Sequence, residues 1–273
     1  MTVAVFGLGI IGSLWAQHYE TERLLGASWN RTAKPAAPRW QPDPVAAAQC
    51  SDVLHLVVAD PPAVQSLLER IVPVLRPTQL VVQSSTIDPQ SAERFCGMVR
   101  ATGARYVEAP FTGSKPAAES RTLVYYLGGR AEDLDLAEPY LAHLSRKRLR
   151  LPEPRQAAAL KLSMNLQIAM VTQSIVEGLS FARHAGLADE TFFAALESNV
   201  VCSGLVGLKK DKLLAGDWSP QFSTKHLLKD VRLALGTPGA GELPGTSLME
   251  RRLALLAERG WSEQDFSALL ELL

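Results

Sequence analysis

Along the first half of this 273-residue chain, short apolar runs alternate with longer stretches whose apolar positions recur at helical spacing. Residues 2–6 predict a buried strand and residues 10–20 a helix. Residues 26–29, 53–59 (VLHLVVA), 79–84, 105–110 and 123–127 predict further strands. Between them, 63–75 and 89–102 predict helices. The first of these is entered through Asp60-Pro61-Pro62, because a first helical turn tolerates proline. Segment 31–44 holds Pro35, Pro38, Pro42 and Pro44, so no regular helix is expected there. Strands alternating with helices imply a mostly parallel sheet with helices on both faces.

After about Leu151 the rhythm changes. Residues 156–184 contain no proline and one glycine, Gly178, and are apolar on most faces. They predict one long helix that Gly186 can cap. Segments 190–198, 205–215, 224–235, 247–259 and 263–272 are all helix-like. The expected fold class is therefore an α/β N-terminal Rossmann domain, residues 1–153, joined by a long helix to an all-α C-terminal domain, residues 154–273.

Composition narrows the function classes. The chain is 47% apolar, which suits a globular protein with a sizeable core. Lys+Arg and Asp+Glu are both 28, so the basic excess of a nucleic-acid-binding protein is missing. The strongest charge run, Arg146-Lys147-Arg148 with Arg150, reads as a solvated strand edge or interdomain surface, with phosphate contact as the other reading. Three scattered cysteines argue against a disulfide framework and fit a reducing compartment. The five histidines do not cluster with them at any ligand spacing, so no metal site is expected. No apolar run reaches the roughly 18 residues of a membrane span, and the first residues lack the features of a signal peptide. The expected location is cytoplasmic, without membrane or nucleic-acid partners.

The first predicted strand runs into Gly7-Leu8-Gly9-Ile10-Ile11-Gly12 just before a helix. In a dinucleotide-binding turn, one glycine makes the tight bend. A second lets backbone approach the pyrophosphate, and a third allows close helix–strand packing. The helix N-terminus then offers free N–H groups to the phosphates. The corner after the second strand distinguishes cofactors. It reads Asn30-Arg31-Thr32, with no carboxylate to hold ribose hydroxyls. An arginine fork with polar donors suits a 2′-phosphate, so NADP (NADPH) is favoured over NAD.

Further along, Lys161 sits in the apolar stretch KLSMNLQIAM, with Asn165 one helical turn later on the same face. On its residues alone, Lys161 reads either as a snorkelling helix-end lysine or as a functional cation. Asn165 reads either as a satisfied core amide or as its companion.

Four separated stretches carry a family resemblance: GLGIIG at 7–12, SSTIDP at 84–89, EAPFTGSKPAAESRTLVYYLGG at 108–129, and KLSMNLQIAMVTQSIVEGLSFARHAGL at 161–187. FSTKHLLKDVRLAL at 222–235 adds a weaker one. The chain resembles the β-hydroxyacid dehydrogenases, which include 3-hydroxyisobutyrate dehydrogenases and glyoxylate/succinic semialdehyde reductases. Its NRT corner and TGSKPAAE wording are most similar to the NADPH-linked semialdehyde reductases. The resemblance implies that Lys161 polarises or protonates the substrate oxygen, beside Asn165. It implies that Ser85, Thr112, Gly113 and Ser114 bind the substrate, and that Thr86 lies beside the nicotinamide. Lys229, with Asp230, would close over the cofactor, and Phe222 would sit near the site. Binding is expected between the two halves, with a homodimer or homotetramer as the assembly.

The chain also departs from the pattern. Thr112 stands where serine is usual, Gln83 where an acid is usual, and Pro152-Glu153-Pro154-Arg155 where glycines are common. The 31–44 segment is short where relatives have a helix. The resulting expectation is an NADPH-dependent oxidoreductase interconverting a small carboxylated aldehyde or 2-oxo acid and its hydroxyacid. An imine reductase and a non-catalytic NADP-binding scaffold are the alternatives.

Overall fold

The computed structural model describes residues 2–273. The chain packs as two compact units, one ending at Lys161, the other Leu162–Leu273. In the first unit, strands β1 (Val3–Phe6), β2 (Leu25–Trp29), β3 (Val53–Leu56), β4 (Leu80–Gln83) and β5 (Arg105–Glu108) alternate with helices α1 (Ile10–Thr21), α2 (Pro44–Gln49), α3 (Pro61–Ile71) and α4 (Pro89–Arg100). Then follow β6 (Phe111–Thr112), α5 (Ser114–Glu119), β7 (Leu123–Gly128), α6 (Ala131–Ala142) and β8 (Ser145–Leu151).

The sheet is parallel through β2-β1-β3-β4-β5. β7 runs antiparallel to β5 and β6, and β8 adds to β7 in parallel. Successive strand residues point to opposite faces, and both faces are covered. Ala4, Phe6, Leu54, Leu56, Val81 and Tyr106 enter one core. Val3, Val5, Val53, Leu80, Val82 and Val107 enter the other. Two buried faces explain why these strands read as continuous apolar runs. The chain leaves β1 toward β2 on one side and β3 on the other, which makes the carboxyl ends of β1 and β3 the switch point where such sheets bind ligands.

Several elements differ from the sequence expectation. β3 stops at Leu56, because Val57 and Val58 already run beneath the glycine turn. The helix at 63–75 begins earlier, at Pro61, where Asp60 Oδ1 accepts the Ala63 amide at 2.8 Å. It ends as a 3-10 turn at Val72–Val74. α2, β6, α5, α6 and β8 have no counterpart in the sequence expectation. The charged first turn of α6, Glu132 and Asp133, and its internal Pro139 obscure the helical period in the sequence. The basic run lies on β8, which pairs only with β7, and Arg146, Lys147 and Arg150 are exposed. Charge on an edge strand discourages further strand pairing, and Arg150 also engages Asp135 and Glu138 of α6 at 2.8 and 2.7 Å.

Helix α7 (Pro154–His184) is continuous, and the division between the units falls inside it. Gly186, at φ +77°, ends it: Leu187 N–H returns to Ala182 O. In the second unit, α7 packs with α8 (Asp189–Glu197), α9 (Gly204–Ala215), α10 (Thr224–Leu235) and α11 (Pro244–Leu256). Ala169, Val176, Phe193, Leu227, Val231 and Leu253 are central to that core. The last predicted helix is a 3-10 segment, Phe266–Leu272, reached through a π turn at Ala257–Trp261 that Gly260 allows at φ +92°. No helix among the described residues is long and apolar enough to cross a membrane.

Candidate functional site

The glycine turn is built by close backbone approach. Gly7 has φ +102°, and a Cβ there would lie 2.2 Å from Val57 O. A Cβ on Gly12 would lie 1.8 Å from Gly7 O. Neither position can hold another residue without moving backbone. Gly9 differs: a Cβ there meets nothing within 4 Å. It N-caps α1 with no side-chain hydrogen bond, so the first N–H groups of the helix face open space. A dinucleotide pyrophosphate fits this cradle of bare backbone donors.

The corner after β2 is tied to the same turn. Asn30 Oδ1 accepts the Leu8 amide at 2.8 Å, and Asn30 Nδ2 donates to Thr32 O at 2.9 Å. Asn30 therefore fixes the geometry of the corner, with the second hydrogen of Nδ2 outside these two contacts. Arg31 and Thr32 are exposed, and the Arg31 guanidinium makes no side-chain hydrogen bond or ion pair among the described residues. Lys34, which sequence reasoning missed, donates its ammonium to Leu8 O. It adds a second cation at this corner. Only its proximity in space reveals it, because the intervening 31–44 segment has no periodicity to read.

The segment after β4 carries Ser85 and Thr86. Ser85 is buried, and its Oγ accepts the Val58 amide at 2.8 Å. Its hydroxyl proton has no acceptor among the described residues. Ser84 Oγ lies 2.9 Å from His55 Nε2, whose ring stacks on Trp15 at 4.4 Å between centroids. Burial drives the His55 pKa down to about 3, so the ring is neutral.

Thr112 ends β6 in antiparallel register with Val124, and Gly113 turns the chain into α5 at φ +135°. A Cβ on Gly113 would press within 2.6 Å of Ala117 Cβ. Ser114 follows at φ +54°, unusual for a residue with a side chain. Two consecutive left-handed positions make this a strained turn, of the kind that clusters at binding sites.

In the second unit, Asn165 is buried on α7 and donates to Asp230 Oδ2 of α10 at 2.6 Å. Lys229 Nζ lies 2.9 Å from Asp230 Oδ1. Lys161 lies one turn before Asn165 on the same helix. Phe222 precedes α10 and packs edge-on against Phe266, with centroids 5.7 Å apart. Its placement depends on a residue that sequence reasoning missed. Asp265 is fully buried and accepts the amides of Gln221 and Phe222 at 3.0 and 3.3 Å, and the Lys209 ammonium at 2.7 Å. Nothing local marks a carboxylate near the chain end as the anchor of a turn more than 40 positions earlier. No group of three or more His, Cys, Asp or Glu residues able to hold a metal occurs among the described residues.

Comparison with known proteins agrees with this layout. Residues 2–151 match the family described as the NAD binding domain of 6-phosphogluconate dehydrogenase. Residues 156–273 match the family described as NAD-binding of NADP-dependent 3-hydroxyisobutyrate dehydrogenase. An uncharacterized oxidoreductase of Synechocystis is 27% identical over 98% of this chain and 96% of its own length. Glyoxylate/succinic semialdehyde reductase 2 of Arabidopsis thaliana is 25% identical over 100% of this chain and 79% of its own. The solved 3-hydroxyisobutyrate dehydrogenase of Mycobacterium tuberculosis superposes with a TM-score of 0.90 at 22% identity, over 99% of this chain and 98% of that one. That likeness establishes a shared fold.

Proposed function

Because the chain belongs to the 6-phosphogluconate dehydrogenase and 3-hydroxyisobutyrate dehydrogenase family of NAD(P)-dependent oxidoreductases, we propose that it is an NADPH-dependent reductase of a small carboxylated aldehyde or 2-oxo acid. In reverse it oxidises the corresponding hydroxyacid. The observation that carries this reading is the α7 arrangement, with Lys161 one turn from an Asn165 held by Asp230.

NADPH, when bound, supplies the hydride. Gly7, Gly9 and Gly12 with the start of α1 would hold its pyrophosphate, alongside Leu8, Ile10 and Ile11. Arg31, with Thr32 and Lys34 nearby, would meet its 2′-phosphate. Reduction of a carbonyl leaves negative charge developing on oxygen. The Lys161 ammonium stabilises that charge and provides the proton, and the Asn165 amide orients the same oxygen. The Ser85 hydroxyl and the Thr112-Gly113-Ser114 turn grip the substrate carboxylate. Thr86 of the first unit would contact the nicotinamide, and Phe222 and Lys229 of the second would bind the cofactor. Exposed apolar side chains of the helical unit, including Phe181, Val200 and Val201, support self-association as a homodimer or homotetramer, which light scattering tests.

The experiment is NADPH and NADH oxidation with glyoxylate, succinic semialdehyde and methylmalonate semialdehyde, beside K161A. NADPH-preferring turnover that is lost in K161A, with NADPH affinity kept, supports the reading. Reduction of cyclic imines alone, or NADPH binding with no turnover, rejects it in favour of an imine reductase or a non-catalytic binding protein.

A further inference from the structure

Gln83 and Glu108 are direct register partners on the neighbouring strands β4 and β5, and both are fully buried. The Gln83 side chain holds both backbone polar groups of Ser85. Its Oε1 accepts the Ser85 amide at 2.6 Å, and its Nε2 donates to Ser85 O at 3.0 Å. The same Nε2 donates to Glu108 Oε1 at 2.8 Å, and Glu108 Oε2 accepts the Tyr106 hydroxyl at 2.6 Å.

The shape of a glutamine amide does not tell its oxygen from its nitrogen; partners decide. Flipping Gln83 would set oxygen against Ser85 O and Glu108 Oε1, and N–H against the Ser85 N–H. Glu108, by presenting an acceptor, helps to select the orientation that fits Ser85. With the Ser85 backbone held, its Oγ meets Val58 N–H at the carboxyl end of β3. One oxygen lone pair is then engaged, and the hydroxyl proton remains for donation. Hydrogen bonds thus run from Tyr106 and Glu108 on β5, through Gln83 on β4, to Ser85 beside the glycine turn.

We propose that Glu108 and Gln83 are positioning residues that aim the Ser85 hydroxyl at an anionic oxygen of the substrate, a carboxylate in the reading above, on which this inference rests. A donor fixed before binding needs no reorganisation when the oxygen arrives. Burial holds the Glu108 carboxyl well above the usual carboxylate range, and a neutral carboxyl still presents a carbonyl oxygen, Oε1, to Gln83 Nε2.

The test compares the wild type with Q83M, E108L and E108Q. It measures succinic semialdehyde kinetics, NADPH affinity, and hydrogen exchange at the Ser85 and Thr86 amides. Q83M and E108L are expected to raise KM for succinic semialdehyde about 10-fold. They should change kcat and NADPH affinity much less, and speed exchange at Ser85. E108Q can still accept from Gln83 and should recover most of both losses. Unchanged KM and unchanged exchange in folded Q83M overturn the proposal, as does failure of E108Q to recover either loss. If E108L does not fold, Q83M decides alone. If the wild type reduces none of the aldehydes, the substrate reading fails, and exchange at Ser85 in Q83M still decides whether the splint exists.

Discussion

Asn165 Nδ2 lies 2.6 Å from Asp230 Oδ2, and the other oxygen of that carboxylate lies 2.9 Å from Lys229 Nζ. One buried carboxylate therefore orients an amide on α7 and holds an ammonium on its own helix. Removing it in D230A breaks the buried Asn165–Asp230 hydrogen bond, at a cost of about 1–3 kcal/mol. Turnover of a carboxylated aldehyde is expected to fall about 10–100-fold. D230N keeps an oxygen for Asn165 but takes the countercharge from Lys229, and should fall between the wild type and D230A. Steady-state kinetics with both variants checks this order; equal losses would mean that the Asn165 contact contributes nothing.

The three glycines of the first turn should separate folding from cofactor binding. A Cβ at Gly12 would overlap Gly7 O, whereas one at Gly9 meets no protein atom within 4 Å. G12A is expected to lower the melting temperature sharply and to lose NADPH affinity with it. G9A should melt close to the wild type, because its φ of −70° is ordinary for alanine. Its methyl group would intrude where the pyrophosphate approaches, so affinity should still drop about 10-fold or more. Thermal melts with and without NADPH measure both; a G9A protein that binds NADPH normally would exclude this turn as the phosphate cradle.

What could be read from the chain alone was local. The glycine turn announces itself by spacing within six residues, and α7 by a long run without proline. The contacts that aim the site are not local. Asn30 reaches Leu8 across 22 positions, Gln83 reaches Glu108 across 25, and Asn165 reaches Asp230 across 65. Each is a polar residue whose partner is set by strand register or helix packing, which hydrophobic periodicity does not encode. Asn30 shows the consequence: residue type suggests a polar donor at the corner, while its tie to the glycine turn through the Leu8 amide is visible only in the fold.

The β2 corner gives a test of cofactor choice. Arg31 is exposed with no intramolecular partner among the described residues, so R31A should leave the turn intact. Loss of a charge-assisted bond to a 2′-phosphate is worth about 1.5–3 kcal/mol, or about 10–100-fold in NADPH affinity. NADH, which lacks that phosphate, should be affected little. N30A should instead weaken both cofactors, because it releases the Leu8 amide. Fluorescence titration of the two cofactors against both variants distinguishes these patterns. Equal weakening of NADPH and NADH by R31A would remove Arg31 from the phosphate site.

His55 predicts how stability depends on pH. Its ring is buried between Trp15, the Tyr19 hydroxyl at 3.3 Å and Ser84 Oγ at 2.9 Å. Burial takes its pKa down to about 3, against about 6.5 in an unfolded chain. Between those values the unfolded state binds a proton that the folded state refuses, so acid favours unfolding. The His55 contribution to stability should be fully present above about pH 6.5 and fall by up to about 1.4 kcal/mol per pH unit below it, until about pH 3. His226, its pKa lowered by burial and then by Lys229 and Lys225, adds in the same direction. Ion-paired carboxylates such as Asp189 and Glu138, whose pKa values are lowered, act mainly below about pH 4.5. Across the window from about pH 6.5 to 4.5, Glu108, its carboxyl raised by burial, acts in the opposite direction to the histidines, because the folded state keeps a proton that the unfolded state releases. H55F removes one titration and should reduce the loss of stability per pH unit on acidification by up to about 1.4 kcal/mol, while lowering stability at neutral pH by leaving Ser84 and Tyr19 without their ring partner. Urea midpoints across the window measure the slope; an H55F slope as steep as the wild type would show that His55 can take up its proton in the folded state.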